Sequence, residues 1–144
     1  MNSSLRKPGI TLAAVALTVG VLFSGTALAM APIISDLIGG QEVPPVKSLA
    51  KGTSTIVVGD DKSVSGTVKT IGMKATAAHI HQGAKGMNGP HIIDLVMSSP
   101  DEWAVPAGAK LTNEQFQSLK DGNLYINVHS AAHKDGEIRA QLKP

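Results

Sequence analysis

The amino-acid sequence predicts an all-β fold, an antiparallel sandwich with one short helix. Three observations lead there. From Thr53 onward, β-branched and alternating segments of strand length are separated by clusters of Gly, Asp and Pro. A single segment carries both start and stop signals of a helix. Nowhere do strands alternate with helices in the rhythm that a parallel sheet requires.

The elements follow in chain order. Arg6 and Lys7 precede an apolar stretch from Ile10 to Phe23 that leads to Ala27-Leu28-Ala29, the pattern of a cleaved secretory signal. The stretch is interrupted by Thr11, Thr18 and Gly20 and is short for a membrane span, so an uncleaved anchor is the lesser reading. Residues 1–29 are therefore read as signal peptide, and residues 30–144 as one exported domain, periplasmic or secreted, with no membrane contact after cleavage.

Ile33 to Ile38 suits a strand, and Gly39-Gly40 followed by Pro44-Pro45 makes QEVPPV an edge or a turn, because proline cannot donate to a ladder. Thr53–Val58, a turn at Gly59–Lys62, and Ser63–Lys69 form a hairpin. After a strand through Ala77–Gln82 comes a glycine-rich loop, residues 83–90, and then one apolar strand from His91 to Met97. Ser98 to Lys110 reads as an irregular connection. Thr112 is placed to cap a helix with Gln115 completing a capping box, Leu111 and Phe116 suit a hydrophobic staple, and Gly122 ends it. Leu124–His129 and Glu137–Leu142 are the last strands, joined through Lys134-Asp135-Gly136.

Composition removes several function classes. Without Arg6 and Lys7 the remaining chain carries eleven basic and eleven acidic residues. No basic block is present, and Trp103, Phe116 and Tyr125 are its aromatics, so a nucleic-acid partner is not expected. There is no cysteine, hence no disulfide and no thiolate ligand or nucleophile. No Ser-His-Asp set or carboxylate pair stands out. Any metal chemistry rests on His, carboxylate or Met.

Side chains alternate across a strand. Leu124, Ile126 and Val128 share the core face, which leaves Tyr125, Asn127 and His129 facing solvent. Ile80 points inward with Ala78, so His79 and His81 lie together on the outer face and can chelate one ion. Ile138, Ala140 and Leu142 point inward, and Glu137, Arg139 and Gln141 outward. Imidazoles on such a face suit copper first, with zinc possible. His91 falls in register with Ile93, Leu95 and Met97, so a buried structural histidine is as good a reading as a ligand. His133 is an exposed turn residue or a substitute fourth ligand. Met73, Met87 and Met97 are core filler rather than thioether ligands, and Glu42 is structural.

The segments GGQEVPPV (39–46), AAHIHQGAKGMNGP (77–90) and GNLYINVHSAAHKDGEIRAQL (122–142) resemble the CHRD domain, named after chordin, over residues 37–142. The resemblance implies an immunoglobulin-like β-sandwich with no settled activity. A more distant similarity to copper/zinc superoxide dismutases lies in HIH (79–81), GPH (89–91) and NVH (127–129). It implies copper ligands at His79, His81, His91 and His129, with Arg139 similar in placement to an anion-guiding arginine. The dismutase's zinc-loop ligands and disulfide cysteines have no counterpart.

Three functions follow as expectations. The first is a non-catalytic exported copper-binding protein, the second a copper-only superoxide-dismutase-like enzyme, the third a structural or interaction module without metal. A protein partner is not identified by the sequence.

Overall fold

A computed structural model describes residues 30–144; the signal peptide read in residues 1–29 lies outside them. Nine strands form one antiparallel sheet: β1 (Ile33–Ile38), β2 (Lys51–Val58), β3 (Val64–Ile71), β4 (Ala75–Gln82), β5 (His91–Asp94), β6 (Val96–Ser99), β7 (Glu102–Ala104), β8 (Leu124–Ser130) and β9 (Ile138–Leu142). The helix α1 spans Asn113–Lys120. Strand order is β5-β4-β8-β9-β1-β2-β3-β7-β6. No helix among the described residues is long and apolar enough to cross a membrane.

The all-β expectation holds, and the sheet adds a closure that pattern reading does not anticipate. The stretch 91–99, expected as a single strand, is divided at Leu95. Its first half pairs with β4 and its second with β7, so one run of chain joins both ends of the strand order. Leu95 is buried at the division, and its N–H donates to the Ala78 carbonyl at 2.9 Å. The expected irregular connection after Ser98 instead contains β7, whose Trp103 enters the core. The rolled sheet encloses Leu37, Ile56, Val58, Val68, Ile80, Ile126, Val128, Ile138 and Leu142.

Local predictions are met where a residue's own chemistry dictates them. In the capping box of α1, the Gln115 N–H donates to Thr112 Oγ1 at 3.1 Å and the Thr112 N–H to Gln115 Oε1 at 2.9 Å. The β2–β3 turn places Lys62 at φ 67°, while Asp61 Oδ1 accepts from the Ser63 N–H and hydroxyl.

The outward faces of β8 and β9 depart from expectation. Alternation does turn Tyr125, Asn127, His129, Glu137, Arg139 and Gln141 away from the apolar core, but every residue of both strands is buried. Loop 83–90 and the QEVPPV turn cover this face and create a second, polar layer. An alternating pattern identifies the face opposite the core; it does not say whether a loop lies over it.

Replacing Ile126, fully buried in β8, with alanine is expected to reduce unfolding free energy by about 2–5 kcal/mol, measured by urea denaturation.

Candidate metal centre

Three strands supply the histidines. In the β4–β8 ladder His79 pairs with Asn127 and Ala77 with His129. Because β4 contributes His79 and His81 from one face and β8 contributes His129 beside them, ligand atoms of all three rings lie within 4.8 Å of one another. His79 Nδ1 is 3.0 Å from His129 Nε2.

Neighbouring carbonyls fix the tautomers. His129 Nδ1 is 2.8 Å from the Lys134 carbonyl, and His81 Nδ1 is 2.9 Å from the Gly89 carbonyl. A carbonyl oxygen only accepts, so each Nδ1 carries a hydrogen, and the neutral tautomer this selects for either ring has its lone pair on Nε2, toward the cluster. His81 Nε2 is buried and finds no hydrogen-bond partner among the described residues. Burial above all, and then the neighbouring His129, lowers the His79 pKa to about 4, against the opposing pull of Asp94. Burial likewise lowers that of His81, opposed by its bond to Gly89. Near neutral pH, His79 and His81 are thus unprotonated and available to a metal.

His91 corrects its strand reading. A register shift between Ile80 and His81 pairs Ile80 with Ile93 but His81 with His91, leaving Ile92 as the extra residue of a β-bulge. The bulge reverses the alternation, so His91 leaves the apolar set and its side chain is 58% exposed at the open side of the cluster. Its ring centroid is 5.0 Å from that of His79. Asp94, assigned no role from sequence, belongs to this side. Its Oδ1 lies 2.6 Å from His91 Nδ1 and 3.7 Å from His79 Nε2, and His79, His91 and Asp94 form a second group close enough to share an ion. The spacing His91-x-x-Asp94 carried that information, but only once the bulge was known.

Arg139, expected on the outward face beside the histidines as an anion guide or as a partner of Glu137 or another carboxylate, is not at the surface and makes no salt bridge among the described residues. It is 1% exposed, and its guanidinium lies 3.4 Å from the centre of the Tyr125 ring. The opposite side of Tyr125 stacks on His81, at 4.6 Å between centroids and 9° between planes. Arg139 donates to Asn88 Oδ1 at 3.2 Å and to the Ala84 and Met87 carbonyls at 3.3 and 2.9 Å, while Gln141 Nε2 donates to the Gly83 carbonyl at 2.8 Å. Loop 83–90 is thereby fastened over β9. Gly89, which orients His81, is further held by the Tyr125 hydroxyl, which lies 3.1 Å from its N–H and 3.3 Å from its carbonyl oxygen. A Cβ at Gly89 would overlap the Gln82 carbonyl, which accounts for glycine there.

The other candidates fall outside the cluster. His133 is in the β8–β9 turn and belongs to neither group that could share an ion. Met73 packs against the core as expected, whereas Met87 and Met97, also expected as core filler, are exposed. Glu42 is buried beside Asn127, and burial raises its pKa to about 7 despite the opposing charge of Arg139.

Two outcomes are expected. Arg139→Met leaves the loop acceptors unpaired, which should remove on the order of 3 kcal/mol of stability and speed amide exchange across residues 83–90. For the metal-free protein, the unfolded chain binds a proton below about pH 6.5 that folded His79 accepts only near pH 4. Stability therefore falls as pH drops through that window, and His79→Gln should flatten this part of a pH series of denaturation curves.

A family model for the CHRD domain matches residues 33–142. No curated protein and no solved structure matches the chain. The match runs from the start of β1 to the end of β9 and takes in both histidine groups, Arg139 and the QEVPPV turn. The chain belongs to the CHRD domain family.

Proposed function

We propose that this CHRD domain is an exported metal-binding protein that holds a copper-class ion on His79, His81 and His129, with His91 at the exposed side, and that it binds rather than catalyses. The observation carrying this reading is the buried His81 Nε2, a lone pair without a partner that points among other unprotonated ring nitrogens. An unpaired buried acceptor destabilises a fold by about 1–3 kcal/mol, and a cation offsets that penalty. Imidazole donors favour Cu(II) over other divalent first-row ions, with zinc as the next choice. Export is supported by the signal-like pattern of residues 1–29.

A superoxide-dismutase-like activity receives less support, because the arginine that would draw an anion to the metal is enclosed beneath the 83–90 loop. A purely structural module would leave the orphaned nitrogen unexplained. Protein isolated from its native compartment is expected to contain copper at close to one equivalent by elemental analysis. Adding Cu(II) at 100 times its dissociation constant should stabilise the fold by about 2.7 kcal/mol. His79→Ala combined with His81→Ala should abolish this shift; an unchanged shift, or stability indifferent to both metal and chelator, contradicts the proposal.

A further inference from the structure

Asn127 is the polar side chain at the floor of the cluster. It lies on β8 between Tyr125 and His129 on the same outer face, and it is 2% exposed. Its Oδ1 is 3.0 Å from His129 Nε2. Its Nδ2 turns the other way: a Cβ built on Gly136, itself at φ +128°, would stand 2.5 Å from Glu42 Oε1 and 2.7 Å from Asn127 Nδ2. The Glu42 carboxyl thus lies on the Nδ2 side of the Asn127 amide, against Gly136, and its buried Oε1 has no other hydrogen-bond partner among the described residues. A carboxylate on one side of a primary amide fixes which end faces the other side, since Nδ2 donates and Oδ1 accepts.

Counting hydrogens in the cluster leaves too few. In the neutral, metal-binding form of His81 and His129, Nε2 is a lone pair, because each Nδ1 hydrogen points to a carbonyl. Asn127 Oδ1 adds a third acceptor next to them. The neutral His79 ring carries one hydrogen, and placing it on Nδ1 serves His129 Nε2. With all three rings neutral, Asn127 Oδ1 and His81 Nε2 then still face the cluster without a donor. Convergent acceptors repel unless a positive charge lies between them.

Resting on the metal-binding reading, we infer that Asn127 Oδ1 is a fourth, buried ligand of the ion held by His79, His81 and His129, and that Glu42 positions it through Nδ2. The resulting set of three nitrogens and one amide oxygen selects for a divalent ion. Carbonyl oxygen is a hard donor that adds to the affinity for Cu(II) or Zn(II) and contributes little to Cu(I), which prefers soft ligands. When ionised, the Glu42 carboxylate would polarise the amide toward the metal in the way that carboxylates behind ligating histidines do.

The test compares Cu(II) and Cu(I) affinities, by competition with chelators specific for each, in the full exported protein and in Asn127→Leu, which keeps the volume and removes the oxygen. Loss of a ligand should weaken Cu(II) about 10–100-fold, leave Cu(I) within about threefold, and change the parallel g value and copper hyperfine splitting in the electron paramagnetic resonance spectrum. Asn127→Asp with Glu42→Gln restores an oxygen donor with the net charge unchanged, and should recover Cu(II) binding even if the leucine variant folds poorly. Equal weakening of both oxidation states, or an unaltered Cu(II) spectrum in Asn127→Leu, overturns the assignment while leaving the three-histidine site standing. Failure of the unsubstituted protein to bind either ion overturns both.

Discussion

Burying the Arg139 guanidinium removes a permanent charge from water, and the contacts that compensate for this organise one whole side of the sandwich. Its donors meet Asn88 and the Ala84 and Met87 carbonyls, and its face meets Tyr125. Arginine suits this task because its planar fork satisfies several acceptors at once while its flat surface stacks on an aromatic ring. Asn88 extends the hold to the QEVPPV turn, where its Nδ2 donates to the Val43 carbonyl at 2.7 Å. Two loops distant in sequence are thus drawn over the same patch of β8 and β9.

The histidine cluster inherits its order from that arrangement. Tyr125 transmits the position of Arg139 to the plane of His81, and the clamped loop presents the Gly89 carbonyl that chooses the His81 tautomer. Lys134, in the β8–β9 turn, does the same for His129. Backbone carbonyls are dependable for this purpose because their place is set by the fold rather than by a rotamer. Burial then lowers the proton affinity of His79 and His81, so that their nitrogens face inward unprotonated. His91 and Asp94 differ in kind: both are exposed, and they form the open side of the cluster.

Much of this was legible in the residues. The hairpin Gly59–Lys62, the capping box at Thr112 and Gln115, and the shared face of His79 and His81 all follow from local chemistry: turn residues, side-chain capping and strand alternation. Three readings needed more. The alternation rule counted Ile92 as an ordinary strand residue, and the bulge there moved His91 from the core to the rim. The same rule labelled Tyr125, Asn127 and Arg139 as solvent-facing, when loops close over them. Asp94 has no signal of its own in the sequence, because regular alternation puts it and His91 on opposite faces and only the bulge brings them together.

By itself the sequence determined the all-β class, the capped helix, and most of the strands with the face each turns from the core, since these depend on residues close together in the chain; β7, the division of 91–99 and the face of His91 lay beyond it. It also named His79, His81 and His129. Tertiary structure alone decided that the sheet closes through the run 91–99, that a bulge turns His91 outward, and that loop 83–90 buries Arg139. It also decided that Asn127 stands behind the histidines with Glu42 behind it. The physical reason is that each of these depends on register and on contacts between segments tens of residues apart. No local pattern encodes which carbonyl meets a given ring nitrogen; packing of the loops over β8 and β9 does.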